Sequence, residues 1–180
     1  MTLNLTMFIE GFYNAASNEQ VSDSVIVELR NATSPFAVAD VSKVVVESNG
    51  SGIFKFGTAD NGNYYLAIKH RNSIETWSNT VITLSRNSPT NFNLSTSSSQ
   101  AFGNNLILVD NSPVRFSIYS GDVNQDGVVD LTDGSFIDND AYNFNSGYLS
   151  TDVNGDGIVD VTDAVYVDNN ATGFVGVIKP

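Results

Sequence analysis

One aspartate-rich segment of twelve residues occurs twice, 30 residues apart, and it restricts what the last third of the chain can be. Asp122-Val-Asn-Gln-Asp-Gly-Val-Val-Asp-Leu-Thr-Asp133 is matched by Asp152-Val-Asn-Gly-Asp-Gly-Ile-Val-Asp-Val-Thr-Asp163. The likeness runs on past each copy, as Ile137-Asp-Asn-Asp-Ala141 against Val167-Asp-Asn-Asn-Ala171, and ends on Phe144 and Phe174. A repeat of this kind is one structural unit used twice.

The spacing suits a hard divalent cation. Calcium takes roughly six to eight oxygens at once, and a short loop of the EF-hand type supplies them only from particular positions. Positions 1, 3 and 5 give the side chains of Asp122, Asn124 and Asp126, and of Asp152, Asn154 and Asp156. Position 6 must turn sharply and holds Gly127 or Gly157, and position 7 gives the main-chain carbonyl of Val128 or Ile158. Position 9 is Asp130 or Asp160, bound directly or through a water, and position 12 closes the shell with Asp133 or Asp163. Two Ca²⁺ ions are therefore expected. Asp, Asn and Gly are also turn formers, but two complete copies at equal spacing favour the metal. Position 8 is apolar in both, Val129 and Val159, as expected if the two loops touch through a short β-contact. A closing Asp is one methylene shorter than Glu, so each loop must close tightly.

The flanks are asymmetric. Ile137, Ala141 and Phe144 fall at i, i+4 and i+7, as do Val167, Ala171 and Phe174, so a helix is expected after each loop. None is expected before, where Phe116-Ser117-Ile118-Tyr119 reads as a strand and Asn145-Ser146-Gly147-Tyr148 as a turn. Loop then helix, duplicated, with Asp-x-Asn-x-Asp-Gly and a closing Asp, resembles the type I dockerin repeat over residues Gly121 to Phe174. The resemblance implies a small module that folds on calcium and docks onto a cohesin partner, with the twelve positions above as its metal site. Positions 10 and 11, Leu131-Thr132 and Val161-Thr162, depart from the small hydroxyl residues common in cohesin-binding dockerins. Asp138-Asn139 and Asp168-Asn169 stand where that family often has a basic pair. The protein partner is thus left open between a cohesin-like module and further copies of this chain.

From Thr2 to about Tyr119 the pattern is of short strands. The clearest runs are Leu3–Tyr13, Ser24–Leu29, Lys43–Glu47, Gly52–Phe56, Tyr64–His70, Thr80–Leu84, Asn91–Leu94, Leu106–Val109 and Arg115–Tyr119. Asn49-Gly50 and Asn61-Gly62 separate runs with residues that tolerate positive φ. Seven or more strands over this length predict an antiparallel β-sandwich. Gly52–Phe56 and Gly62–Ile68 resemble the transthyretin-like and carboxypeptidase-regulatory-like modules. Charge marks the boundary: residues 121–180 carry −10 of the total −12. The expected fold is therefore mainly β with a small α domain, a sandwich over 1–120 followed by a dockerin-like pair of calcium loop–helix units over 121–180, joined at Ser120-Gly121.

The acidity argues against nucleic acid or an anionic membrane surface as partner. There is no cysteine, so disulfides and thiol chemistry are excluded. No run of 18 apolar residues occurs, so membrane insertion is not expected. No leader precedes Leu3, and the chain reads as a mature or excised product of the extracellular space or cell surface. His70, between Lys69 and Arg71, reads as a surface histidine, and Glu10, Glu28, Glu47 and Glu75 form no paired-carboxylate motif, so no enzyme is expected. Trp77, Tyr64 and Tyr65 would serve a carbohydrate-binding module as a platform, but they read better as core and strand residues. The reading that results is a non-enzymatic, calcium-binding extracellular module for protein–protein assembly. The alternative is a whole subunit that self-assembles into a calcium-stabilised filament or surface layer.

Overall fold

The computed structural model describes residues 1–180. Strand β4 (Asp23–Asn31) shows how the sequence builds it, because Val25, Val27 and Leu29 turn inward while Ser24, Ile26, Glu28 and Arg30 stay partly exposed. Such period-two alternation commits one face of a strand to a core. β4 lies between β5 (Val38–Val46) and β7 (Gly62–His70), and β7 also pairs with β8 (Ser73–Trp77) and β9 (Ile82–Leu84), all antiparallel. The second sheet runs β10 (Thr90–Asn93), β1 (Thr2–Thr6), β6 (Ser51–Lys55). Here β1 is antiparallel to β6 but parallel to β10, which corrects the expectation of a purely antiparallel sandwich. Two short hairpins complete the β part, β2 (Tyr13–Asn14) with β3 (Glu19–Gln20) and β11 (Ile107–Asn111) with β12 (Val114–Ser117).

The inward residues of both sheets meet in a single core of 21 residues that includes Leu3, Leu5, Val27, Leu29, Phe54, Leu66 and Ile68. Each such side chain, fully buried, contributes roughly 1.5–3 kcal/mol. The chain is thus mainly β, a β-sandwich with two helices. Strand β8 was not among the expected strands, since Glu75 and Thr76 interrupt its apolar pattern.

Helices α1 (Leu131–Tyr142) and α2 (Val161–Thr172) follow the two aspartate-rich loops. Each starts on a capping box in which Asp130 or Asp160 caps the helix and Asp133 or Asp163 bonds back to the cap N–H. A second core of seven buried residues holds this part together: Val123, Val129, Ile137, Val153, Val159, Val167 and, from strand β8, Ile74. The sandwich thus contributes a side chain to the core beneath the loops. Phe144 and Phe174 do not belong to the helices. Each helix stops two residues earlier, and both phenylalanines adopt left-handed backbone (φ 55° and 54°) with 91% of their surface exposed. Ile137 and Ala141 follow the expected helical face, and the third apolar position falls past its end.

Candidate metal centre

Each loop is shaped by its own short side chains. Asn124 Oδ1 accepts from the Asp126 N–H (2.7 Å), Asp126 Oδ1 from the Val128 N–H (3.0 Å) and Asp130 Oδ1 from the Thr132 N–H (2.7 Å). Asn154, Asp156 and Asp160 repeat these bonds at 2.8, 2.9 and 2.8 Å. Asx turns of this kind bend a backbone without help from distant residues. Gly127 and Gly157 have φ of 93° and 85° at the sharp turn, where a side chain would be strained.

The closing aspartates tie the ends of the loops together. Asp133 Oδ1 accepts from the N–H groups of Val123 (2.9 Å) and Asn124 (3.2 Å), and Oδ2 from that of Asp130 (3.0 Å). Asp163 does the same with Val153, Asn154 and Asp160 at 2.7, 3.0 and 2.9 Å. Both are fully buried, and burial raises their carboxyl pKa against the pull of these N–H donors.

The first aspartates differ. Asp122 is 2% exposed; its Oδ2 accepts from Gly127 N–H at 3.2 Å, and its buried Oδ1 has no partner at all. Burial, and then the charge of Asp133, push its carboxyl up to about 7. In Asp152 both oxygens are engaged, Oδ1 by the Gly155 N–H (2.9 Å) and Oδ2 by Arg71 Nη2 (3.4 Å).

Asp126 and Asp156 lie at the exposed rim and accept from the amides of Asn124 (3.0 Å) and Asn154 (3.2 Å). Val128 and Ile158 are also exposed, and Asp130 and Asp160 serve the helix caps. The structure gathers no group of three or more Asp, Glu, His or Cys side chains at metal-holding distance.

The two loops do not pair with each other, contrary to expectation. Val129 N–H donates to the Val175 carbonyl (2.9 Å), and Val159 N–H to the Asn145 carbonyl (3.2 Å). Each loop therefore pairs with the segment that leaves the other unit's helix, and what Val129 and Val159 share is the second core.

A polar junction, absent from the expectations above, joins the loops to the sandwich. His70 is buried (3% exposed), not a surface residue. Its Nε2 lies 3.2 Å from Asp23 Oδ2 and its Nδ1 3.1 Å from Ser73 Oγ. Burial holds its pKa below the ordinary value despite the pull of Asp23, so the ring is neutral at pH 7, with Nε2–H donating and Nδ1 accepting. Burial opposes the ionisation of Asp23, but bonds from His70, Tyr148 and Arg71 outweigh it and hold that carboxyl far below the usual range. The order Asp, His, Ser resembles a hydrolytic array, yet Ser73 is fully buried and bridges Ser120, so no substrate can reach its Oγ.

Arg71 is central to the junction. Its Nε donates to Asp23 at 2.9 Å, and its guanidinium lies 5.3 Å from the ring centre of Phe12 and 4.5 Å from that of Tyr148. Beside it, Asn72 Nδ2 donates to the Asp152 carbonyl (2.8 Å) and Gly121 N–H to the Asn72 carbonyl (2.7 Å). Glu10 accepts from Ser120 N–H (3.0 Å) and Asn170 Nδ2 (2.7 Å) on the far side. Among the aromatic residues, Trp77 is buried, with Phe36 and Arg30 against its ring, and Tyr64 is buried as well.

No protein-family model and no curated protein matches the chain. Among solved structures it resembles a C-terminal interface mutant of the type II cohesin–X–dockerin complex from Acetivibrio cellulolyticus. The TM-score is 0.54, with 16% identity and 94% of each chain covered. An N-terminal interface mutant of that complex gives a TM-score of 0.50 over the same shares, again at 16% identity. At this identity the likeness is one of fold. Residues 121–180 are a third of the chain, so a match this extensive takes in most of the loops and helices as well as the sandwich. No helix is long and apolar enough to cross a membrane.

Proposed function

We propose that the chain is a calcium-stabilised, non-enzymatic assembly module of the extracellular space or cell surface. In this reading residues 1–120 are the sandwich and residues 121–180 a dockerin-like pair of loop–helix units, each for one Ca²⁺. The ligands would be Asp122, Asn124, Asp126, Asp130 and Asp133 with the Val128 carbonyl, and Asp152, Asn154, Asp156, Asp160 and Asp163 with the Ile158 carbonyl. These residues fit a hard cation, because every donor is an oxygen. The observation that carries the reading is Asp122 Oδ1, a buried carboxylate oxygen without a partner inside a loop of further oxygen donors. A buried anionic oxygen left alone is costly, and a cation beside it removes that cost. Calcium, when bound, supplies the positive charge that offsets the loop carboxylates.

The assembly part is supported by exposed apolar side chains on the same units. Leu131, Val161, Tyr142, Phe144 and Phe174 are each at least 75% exposed, and such side chains mark sites of contact where they gather into one patch. The fold shared with structures of a cohesin–X–dockerin complex agrees with a protein partner. A second reading, self-assembly into a filament or surface layer, is favoured by strand β5, whose Val38, Val41 and Val45 are exposed at the edge of the larger sheet.

Thermal unfolding of the whole chain in excess calcium and in excess chelator tests the metal. Each filled site adds about 2.7 kcal/mol when free calcium is about 100 times the dissociation constant. Identical unfolding curves would sink the calcium role. Sizing and negative-stain microscopy under both conditions separate the two assembly readings: filaments that dissolve on chelation favour self-assembly, and a monodisperse monomer in both rules it out.

A further inference from the structure

We infer that Arg71 is a tethered counter-ion to the second loop, which makes the two metal sites unequal, the first tight and the second weak. The inference rests on the calcium reading above and adds to it an order of filling and the residue that sets it. The two loops match in sequence at every position that offers a side-chain ligand and share the same Asx turns and closing bonds. Their first aspartates nevertheless stand in different surroundings. Asp122 offers an unpartnered buried oxygen, whereas both oxygens of Asp152 are in use, one on the Gly155 N–H and one on Arg71 Nη2.

Arg71 does not drift into that place. Its Nε is bonded to Asp23, and its guanidinium packs against the rings of Phe12 and Tyr148. The Asp152 main chain is fixed from the same side by Asn72 Nδ2 on its carbonyl. The cation is therefore built into the sandwich and presented to the loop. The charge of a guanidinium held here repels an incoming Ca²⁺, and its 3.4 Å contact is the longer of the two that the Asp152 carboxylate makes. Binding at the second loop must give up that contact or work against the nearby charge. The first loop has no ion pair to lose. A chain with one site filled would thus carry its metal at 122–133, and its second loop would still be neutralised in part by the sandwich.

The test is calorimetric titration of the metal-free full chain with calcium chloride, for the natural sequence and four variants. The natural chain is expected to bind two ions with separate affinities. Asp126→Ala, which removes a ligand of the first loop, leaves the weak event, and Asp156→Ala leaves the tight one. Arg71→Gln removes the charge and tightens the weak site about tenfold, the scale of one unit charge a few ångströms away in a partly screened setting, with the tight site unchanged. Arg71→Lys keeps the charge and keeps the second site weak. Two equal sites in the natural chain overturn the inference whether or not any variant folds. So does a second site that Arg71→Gln leaves unchanged or weakens, which would make Arg71 a support of Asp152. If neither the natural chain nor any variant binds calcium, it is the underlying calcium reading that fails.

Discussion

A β-carbon on Gly11 would stand 2.2 Å from the carbonyl oxygen of Val153, so the turn Glu10–Phe12 touches the second loop backbone to backbone. Gly11 cannot retreat easily, because its N–H donates to Ser120 Oγ (3.0 Å) at the joint between the sandwich and the first loop. Gly11→Ala must push the loop off the sandwich or bend the turn. Overpacking of this kind costs about 1–3 kcal/mol, read as a lower denaturant midpoint for the whole chain. An unchanged midpoint would mean that the loops do not rest on the sandwich as described.

Acid should weaken the junction. The pKa of Asp23 is lower in the folded chain than its ordinary value, so its contribution is present above about pH 3.9 and lost as pH falls through the folded value. His70 is also held below its ordinary value, so the folded state resists taking up its proton. Stability from His70 is therefore present above about pH 6.5 and falls as pH drops below it. His70→Gln, compared with the natural chain between pH 7 and pH 5, should lose stability at pH 7 and show a shallower decline. Asp122 and Glu10, whose raised values act in the opposite direction, are common to both curves and cancel in the comparison. Parallel curves would mean that His70 does not titrate in this junction.

The loops and helices were legible because their determinants are local. Asp130 caps its helix through the N–H two residues on, and Gly127 turns where the spacing requires, so the twelve-residue pattern carries its own geometry. The junction was not legible because its determinants are distant. Between Lys69 and Arg71, His70 reads as a surface histidine, yet it finds Asp23 47 residues back, and Asn72 finds Asp152 80 residues ahead. No local pattern reports partners so far apart. The mispairing of the loops has the same origin. Val129 and Val159 look like partners because they are alike, while their backbones bond to Val175 and Asn145, each just past the other unit's helix. Phe144 and Phe174 misled for a further reason: apolar periodicity continued past helices whose backbone had already ended at Tyr142 and Thr172.

Those two phenylalanines give the sharpest separation between folding and assembly. An aromatic residue in left-handed backbone pays a local strain that glycine or asparagine avoids, and with 91% of its surface in water it recovers nothing from a core. Phe144→Asn with Phe174→Asn should therefore leave the unfolding free energy unchanged or raise it by up to about 1–2 kcal/mol per residue. If the exposed rings are the contact, the same double variant should lose partner binding or self-association by tenfold or more, the effect of removing about 1.4 kcal/mol or more of interaction. Calcium binding should survive, since neither ring belongs to the loops. Folding, metal binding and assembly then respond separately in a single protein, and assembly that persists undiminished would move the contact away from these units and towards the valine edge of strand β5.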